Sequence, residues 1–280
     1  MKTIILAGGT GQVGQILARE LASQYKVIIL TRGQPRTLGN LEYKHWDAVT
    51  LGAWATSIDG ADAVINLAGR TVNCRYNPKN RREILESRTY STRVIGEAIA
   101  VANNPPKVWL QAVSGTIYTH RFDAPNDDVS GQLGGTEAMP DTWRFSVDVA
   151  KAWEATLEAS HTPQTRKVAL RSAMVLSPDQ GGVFSVLHNL VRHGLGGTMG
   201  NGQQYISWIH DSDFIAAILF LLEQPIDGAV NLCSPNPLPN AEFMRLFRSA
   251  SGIGFGLPST NWMLELGAIF LQTEIGRAHV

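Results

Sequence analysis

Apolar residues recur along this chain in two rhythms. The stretches 1–7 and 26–30, with unbroken apolar runs at 4–7 and 27–30, predict strands buried on both faces, since a strand with one wet face would alternate every second residue. Between them, residues 15–24 carry apolar side chains three and four apart, the spacing of a helix lying on a sheet. The same alternation continues with a short strand at 42–46, a strong buried strand at 62–69, a long helix at 80–102 and a strand at 107–114. Residues 119–140, rich in Gly, Asp and Pro, predict a long loop. Helix 142–160, strand 167–176, helix 183–192, a glycine-rich loop at 194–202, strand 205–209, helix 211–223 and strand 229–233 follow. From Pro239 the pattern is helical, with a second apolar helix at 261–271. Strands separated by helices predict an α/β fold, a doubly wound parallel sheet with right-handed crossovers and a small C-terminal lobe. The expected division is 1–225 for the sheet domain, with substrate-side insertions from about 176, and 226–273 for the lobe.

The first crossover carries chemistry. Gly8-Gly9-Thr10-Gly11-Gln12-Val13-Gly14 joins the first strand to the first helix. Spaced glycines there allow a tight turn, admit a pyrophosphate to backbone N–H groups and let the helix pack closely on the strand. The helix N-terminus adds a partial positive charge at that point. A dinucleotide is the expected ligand. An NAD site usually places Asp or Glu about 20 residues further on, to hold the ribose 2′-hydroxyl. This chain has Thr31 and Arg32 at that strand end, a hydroxyl and a guanidinium suited to a 2′-phosphate, so NADP is preferred over NAD.

Composition narrows the remaining classes. Lys+Arg and Asp+Glu both number 24, and no basic run points to nucleic acid or to an acidic membrane, so neither partner is expected. Cys74 and Cys233 stand far apart without a C-x-x-C, as reduced thiols of a cytoplasmic protein would. The seven histidines show no zinc-type spacing, so no metal is expected. No signal peptide is expected, because the first strand already begins at residue 3, and the apolar stretch 214–222 is too short to span a bilayer. Residues 274–280 read as non-native, like a translated sequencing adapter, which would place a truncation near Thr273.

Taken together, the glycine turn, Asn66-Leu67-Ala68-Gly69, Ser114-x-x-x-Tyr118, Lys151 and Ser207-Trp208-Ile209-His210-Asp211 resemble the NAD-dependent epimerase/dehydratase family of short-chain dehydrogenases/reductases. Lys151-Ala-Trp-Glu154 and residues 200–211 resemble its atypical "epimerase family protein" branch, and Asn240-Ala-Glu-Phe243 the start of that branch's C-terminal domain of unknown function. The resemblance implies a Rossmann fold and specific roles. Gly8, Thr10, Gly11, Gln12, Val13 and Gly14 would hold the pyrophosphate, Thr31 and Arg32 the 2′-phosphate end, and Asp47 would lie near the adenine. Leu67, Ala68 and Gly69 would pass under the riboses, with Glu83 and Arg88 approaching from the next helix. Lys151 would bind the nicotinamide ribose, Val175 would lie near the nicotinamide, and Ser114 would hydrogen-bond a substrate oxygen.

One departure bears on activity. The superfamily's proton-transferring Tyr stands four residues before the Lys, and here that position is Val147. Ser146 and Asp148 are rotated about 100° away on the helix and do not substitute. Three readings stay open: Tyr118 supplies the proton, the substrate or a water does, or the protein binds NADP without redox turnover. The expected function is that of an NADP-dependent oxidoreductase or epimerase acting on an unidentified small polar molecule, with nucleotide sugars among the candidates. The alternative is a non-catalytic NADP-binding regulator, in keeping with a cell-division label attached to that branch. A homodimer is a common arrangement for such folds. Other polar residues have plainer expected roles. Asp211 is read as a helix N-cap, Glu154 as the partner of a cation, and Arg70, Arg75, Arg81 and Arg82 as a solvated face that could also clamp an anion.

Overall fold

The structure is a computed structural model, and it describes residues 1–135 and 139–258. Its centre is an eight-stranded sheet in the order β11-β7-β6-β5-β1-β2-β4-β3. The strands are β1 (Thr3–Ala7), β2 (Lys26–Thr31), β3 (Arg36–Leu38), β4 (Leu41–His45), β5 (Ala63–Asn66), β6 (Val108–Ala112), β7 (Arg166–Ser172) and β11 (Gly228–Leu232). Every pairing is parallel except β3 on β4, so the predicted doubly wound α/β architecture is the observed one. From β1 the chain adds β2 and β4 on one side, then returns to add β5, β6, β7 and β11 on the other. That reversal opens a crevice at the carboxyl ends of β1 and β5, where ligands of open α/β sheets bind.

Two helical layers sandwich the sheet. Helices α2 (Pro78–Ala100) and α3 (Asp141–Ala159) cover one face, burying Val94, Ile95, Ala98, Ile99, Ala150 and Leu157 against Ile5, Ile28 and Val64. On the other face, α1 (Gln12–Leu21) and α5 (Asp211–Glu223) bury Leu17, Leu21, Phe214, Ile218 and Leu221 against Ile4, Leu6, Ile29 and Leu110. A third cluster joins α4 (Val183–Arg192) and α6 (Asn240–Ala250) to two small sheets. These pair β8 (Met174–Leu176) with β10 (Trp208–His210), and β9 (Tyr205–Ile206) with β12 (Leu238–Pro239).

Several elements differ from the sequence expectation, each for a local reason. Helix α1 begins at Gln12 rather than 15, because the glycine turn is its first turn: Gln15 N donates to Gly11 O at 2.8 Å. Strand β3 has only exposed residues and so left no apolar signature. The run 167–176 is two strands. At Ala173, whose N–H reaches Leu232 O at 2.9 Å, the chain leaves the main sheet to pair with β10. The expected boundary at 225 cuts the sheet domain one strand short, since β11 at 228–232 is its edge, while α4 at 183–192 packs with the lobe. The N-cap of α5 is His210, whose ring accepts from Ser212 N at 3.2 Å, and not Asp211, which occupies the first helical turn. The apolar run 261–271 and the 274–280 tail lie outside the described residues. No helix among the described residues is long and apolar enough to cross a membrane.

One buried ion pair ties α3 to the sheet. Arg171 on β7 grips the Glu154 carboxylate of α3 bidentately, at 3.0 and 2.5 Å, and both side chains are largely shielded from water. Removing the cation strands a carboxylate in low dielectric. Arg171→Met is expected to lower unfolding stability by about 3 kcal/mol in urea titration.

Candidate functional site

The crevice is built on close backbone contact. Gly8 adopts φ +77°, and a Cβ there would stand 2.7 Å from the Leu67 carbonyl carbon. At Gly14 a Cβ would run into the Gly8 carbonyl and come within 2.6 Å of Gly9 Cα. Glycine at both positions lets the ends of β1 and β5 and the start of α1 meet. Helix α1 has Gly11 as its N-cap, with no side-chain cap and no acidic residue in its first turn. Its leading N–H groups therefore face the crevice without a partner from a capping side chain, at the positive end of the helix dipole. This donor set fits the pyrophosphate of a dinucleotide.

The two ends of the crevice differ in chemistry. At the end of β2, Thr31 Oγ1 accepts from Gly33 N at 3.0 Å, which leaves its own O–H to donate. Arg32 is exposed and has no hydrogen-bond or ion-pair partner among the described residues. The Asp47 side chain is turned into its own loop. It accepts from the Thr50 hydroxyl at 2.6 Å and from the amides of Val49 and Thr50, and these bonds hold its carboxyl down at about 2.

Under the middle of the crevice, buried Asn66 donates to Gln111 Oε1 at 2.9 Å and accepts from Ala68 N at 3.0 Å, which sets the course of Leu67 and Ala68. Gly69 lies against Arg88, whose guanidinium carbon would be 3.2 Å from a Cβ there. Arg88 donates to Arg70 O and Ile84 O and stacks over the Trp153 ring at 5.0 Å, with no carboxylate partner among the described residues. Burial pushes it down to about 10, so an anionic ligand would relieve an uncompensated charge. Glu83 instead pairs with Arg70 at 3.0 Å. Arg81 does not point freely at a ligand either, because it clamps Asp141 at the start of α3.

At the opposite end, Ser114 Oγ accepts from Thr116 N at 3.2 Å and Thr116 Oγ1 at 2.8 Å, which again leaves its proton for an incoming oxygen. Lys151 and the fully buried Val147 share one face of α3. Gly135, at φ +102°, covers them, and a Cβ there would be 3.1 Å from Lys151 Nζ. The Tyr118 hydroxyl is engaged on three sides. It lies 2.8 Å from Asn231 Oδ1 and 3.2 Å from Asp127 O, and it accepts from Arg171 at 2.9 Å, which makes it part of the buried Arg171–Glu154 network. Val175 sits on β8, opposite Ile209 of β10.

A contact absent from the sequence reading ties a distant loop to the glycine turn. The Gln12 amide donates to Asp179 O at 3.3 Å, the Asp179 carboxylate meets Arg19 at 3.0 Å, and a Cβ on Gly182 would collide with Gln12. Loop 177–182 thereby straps the glycine turn to α4. The Gly181-Gly182 pair before a helix was its one sequence trace. Gly14→Ala is expected to displace the turn and to weaken dinucleotide binding at least tenfold in a fluorescence titration, with the sheet still folded by circular dichroism.

Comparison with known proteins agrees with this geometry. A family model described as NAD dependent epimerase/dehydratase family matches residues 4–233. An epimerase family protein of Staphylococcus aureus (strain N315) is 33% identical over 270 residues, 95% of this chain and 85% of the relative. One from Mycobacterium leprae (strain TN) is 32% identical over 251 residues, 88% of this chain and 76% of the relative. The crystal structure of human epimerase family protein SDR39U1 (isoform 2) with NADPH matches at a TM-score of 0.81 and 29% identity, covering 96% of this chain and 88% of that one. UDP-N-acetylglucosamine 4-epimerase from Bacillus cereus shares the fold at a TM-score of 0.72 and 20% identity, covering 93% and 86%. The chain belongs to the NAD-dependent epimerase/dehydratase family.

Proposed function

We propose that this protein binds NADP(H) across the carboxyl ends of its sheet and acts as an NADP-dependent oxidoreductase or epimerase on a small polar substrate, a nucleotide sugar being the leading class. The observation that carries the reading is the pairing of uncapped α1 amides with an unpartnered Arg32, at a strand end that lacks any carboxylate. The human relative crystallised with NADPH supports the same cofactor.

When bound, the nicotinamide supplies or accepts a hydride. The chain's own residues orient and polarise. Lys151 holds the nicotinamide ribose hydroxyls, Ser114 donates to a substrate oxygen, Leu67 to Gly69 form the floor, and Val175 packs at the ring end. Val147 can move no proton, and the Tyr118 hydroxyl already lies against Asn231 and Arg171, so the proton comes from the substrate or a water. General acid–base assistance is worth about 10²–10⁴-fold, so turnover is slow without a dedicated residue. The buried valine and the Gly135 cover over Lys151 favour a second reading, a cytoplasmic NADP-binding regulator with no turnover. A dimer is the assembly we expect in either case.

Titration of the purified protein is expected to show tighter binding of NADPH than of NADH. Arg32→Ala should remove most of that difference, and Lys151→Met should weaken both coenzymes without unfolding the protein. Absence of binding by either coenzyme overturns the proposal. A panel of nucleotide sugars then separates the two readings: consumption of NADPH absorbance or sugar isomerisation, lost in Lys151→Met, marks an enzyme, and binding without turnover marks the regulator.

A further inference from the structure

We infer that His45 is a second ligand of the cofactor's 2′-phosphate, facing Arg32, and that it helps set the preference for NADP over NAD. The inference rests on the NADP reading above and extends it to a residue outside the glycine turn and the β2 end.

Strands β2 and β4 run parallel in a register that places His45 beside Thr31, the position where an NAD site would carry its carboxylate. The exposed imidazole folds back over the turn that follows β2, with Nδ1 3.3 Å from Gly33 O. A carbonyl oxygen can only accept, so Nδ1 carries the hydrogen and Nε2 is left for a ligand. Arg32 lies between Thr31 and Gly33, both of which this corner already engages. Tyr43 shares the His45 face of β4, and Arg36 from β3 stacks on its ring at 4.3 Å, adding a third cationic side chain nearby.

The charged residues that sequence and register place beside His45 are Arg32, Arg36 and Asp47. Asp47 is turned away onto Val49 and Thr50. Glu42 and Lys44 belong to the opposite face of β4, where they pair with each other and with Lys26 and Ser57. In a chain of zero net charge, the register brings Arg32, Arg36 and His45 to the same edge of the sheet, at the end of β2, the start of β3 and the end of β4. A phosphate dianion suits this corner, and a bare 2′-hydroxyl would leave its charge unanswered.

With Nδ1 committed to Gly33, Nε2 meets the phosphate either as a donor, when the ring is imidazolium, or as an acceptor from the phosphate's own O–H.

Isothermal titration of the wild type, His45→Ala and His45→Gln with NADPH and NADH tests this. His45→Ala is expected to weaken NADPH about tenfold, the scale of one charge-assisted hydrogen bond, with NADH changed less than twofold. His45→Gln, which can still bond Gly33 but carries no charge, is expected to weaken NADPH as well, with NADH again little changed. Unchanged NADPH affinity in both variants, or equal weakening of both coenzymes, overturns the role of His45 while leaving NADP binding intact. Failure of the wild type to bind either coenzyme overturns this inference together with the reading beneath it.

Discussion

The close approach of three backbone segments at the crevice is the constraint on which the rest of the structure depends. Gly8 lies on the Leu67–Ala68 peptide, and Gly14 lies on Gly8 and Gly9, with no room for a side chain at either contact. That proximity draws β1, β5 and α1 to a common point and lays the bare end of α1 across it. Asn66 and Gln111 hold the same point from beneath by exchanging amide hydrogen bonds in a fully buried setting, where an unmet polar group would be costly. Binding geometry and folding geometry are thus the same feature.

Much of this was legible in the order of residues, and the reasons are specific. The strands β1, β2, β5 and β6 are buried on both faces, so their apolar runs are unbroken and unmistakable. The glycine turn announces itself because only glycine tolerates contacts this tight. Elements defined by partners distant in sequence were not legible. The division of 167–176 into β7 and β8 is set by Leu232 and Ser207, and the fate of Tyr118 by Arg171 and Asn231, 53 and 113 residues away. Serine, threonine and aspartate dominate expectations for N-caps, which is why His210 was passed over in favour of its neighbour.

One apolar residue shapes the end of the crevice beside α3. With valine at 147, the face of α3 that bears Lys151 has no hydroxyl one turn before the lysine, and Gly135 packs against both side chains. The tyrosine that stands nearest in sequence serves architecture, joining the 127 loop, β11 and the Arg171–Glu154 pair into one buried network. Polar investment at this end of the crevice is therefore greater in holding α3 against β7 than in acid–base machinery.

The strap from Gln12 to the 177–182 loop has a mechanical consequence. It joins the first helix to the lobe through one amide hydrogen bond and one exposed ion pair, each weak by itself and readily exchanged with water. The loop's hold on the first helix is therefore shared between a backbone carbonyl and a side chain of the same residue, Asp179, so a change at either Gln12 or Arg19 removes part of the tie without removing all of it.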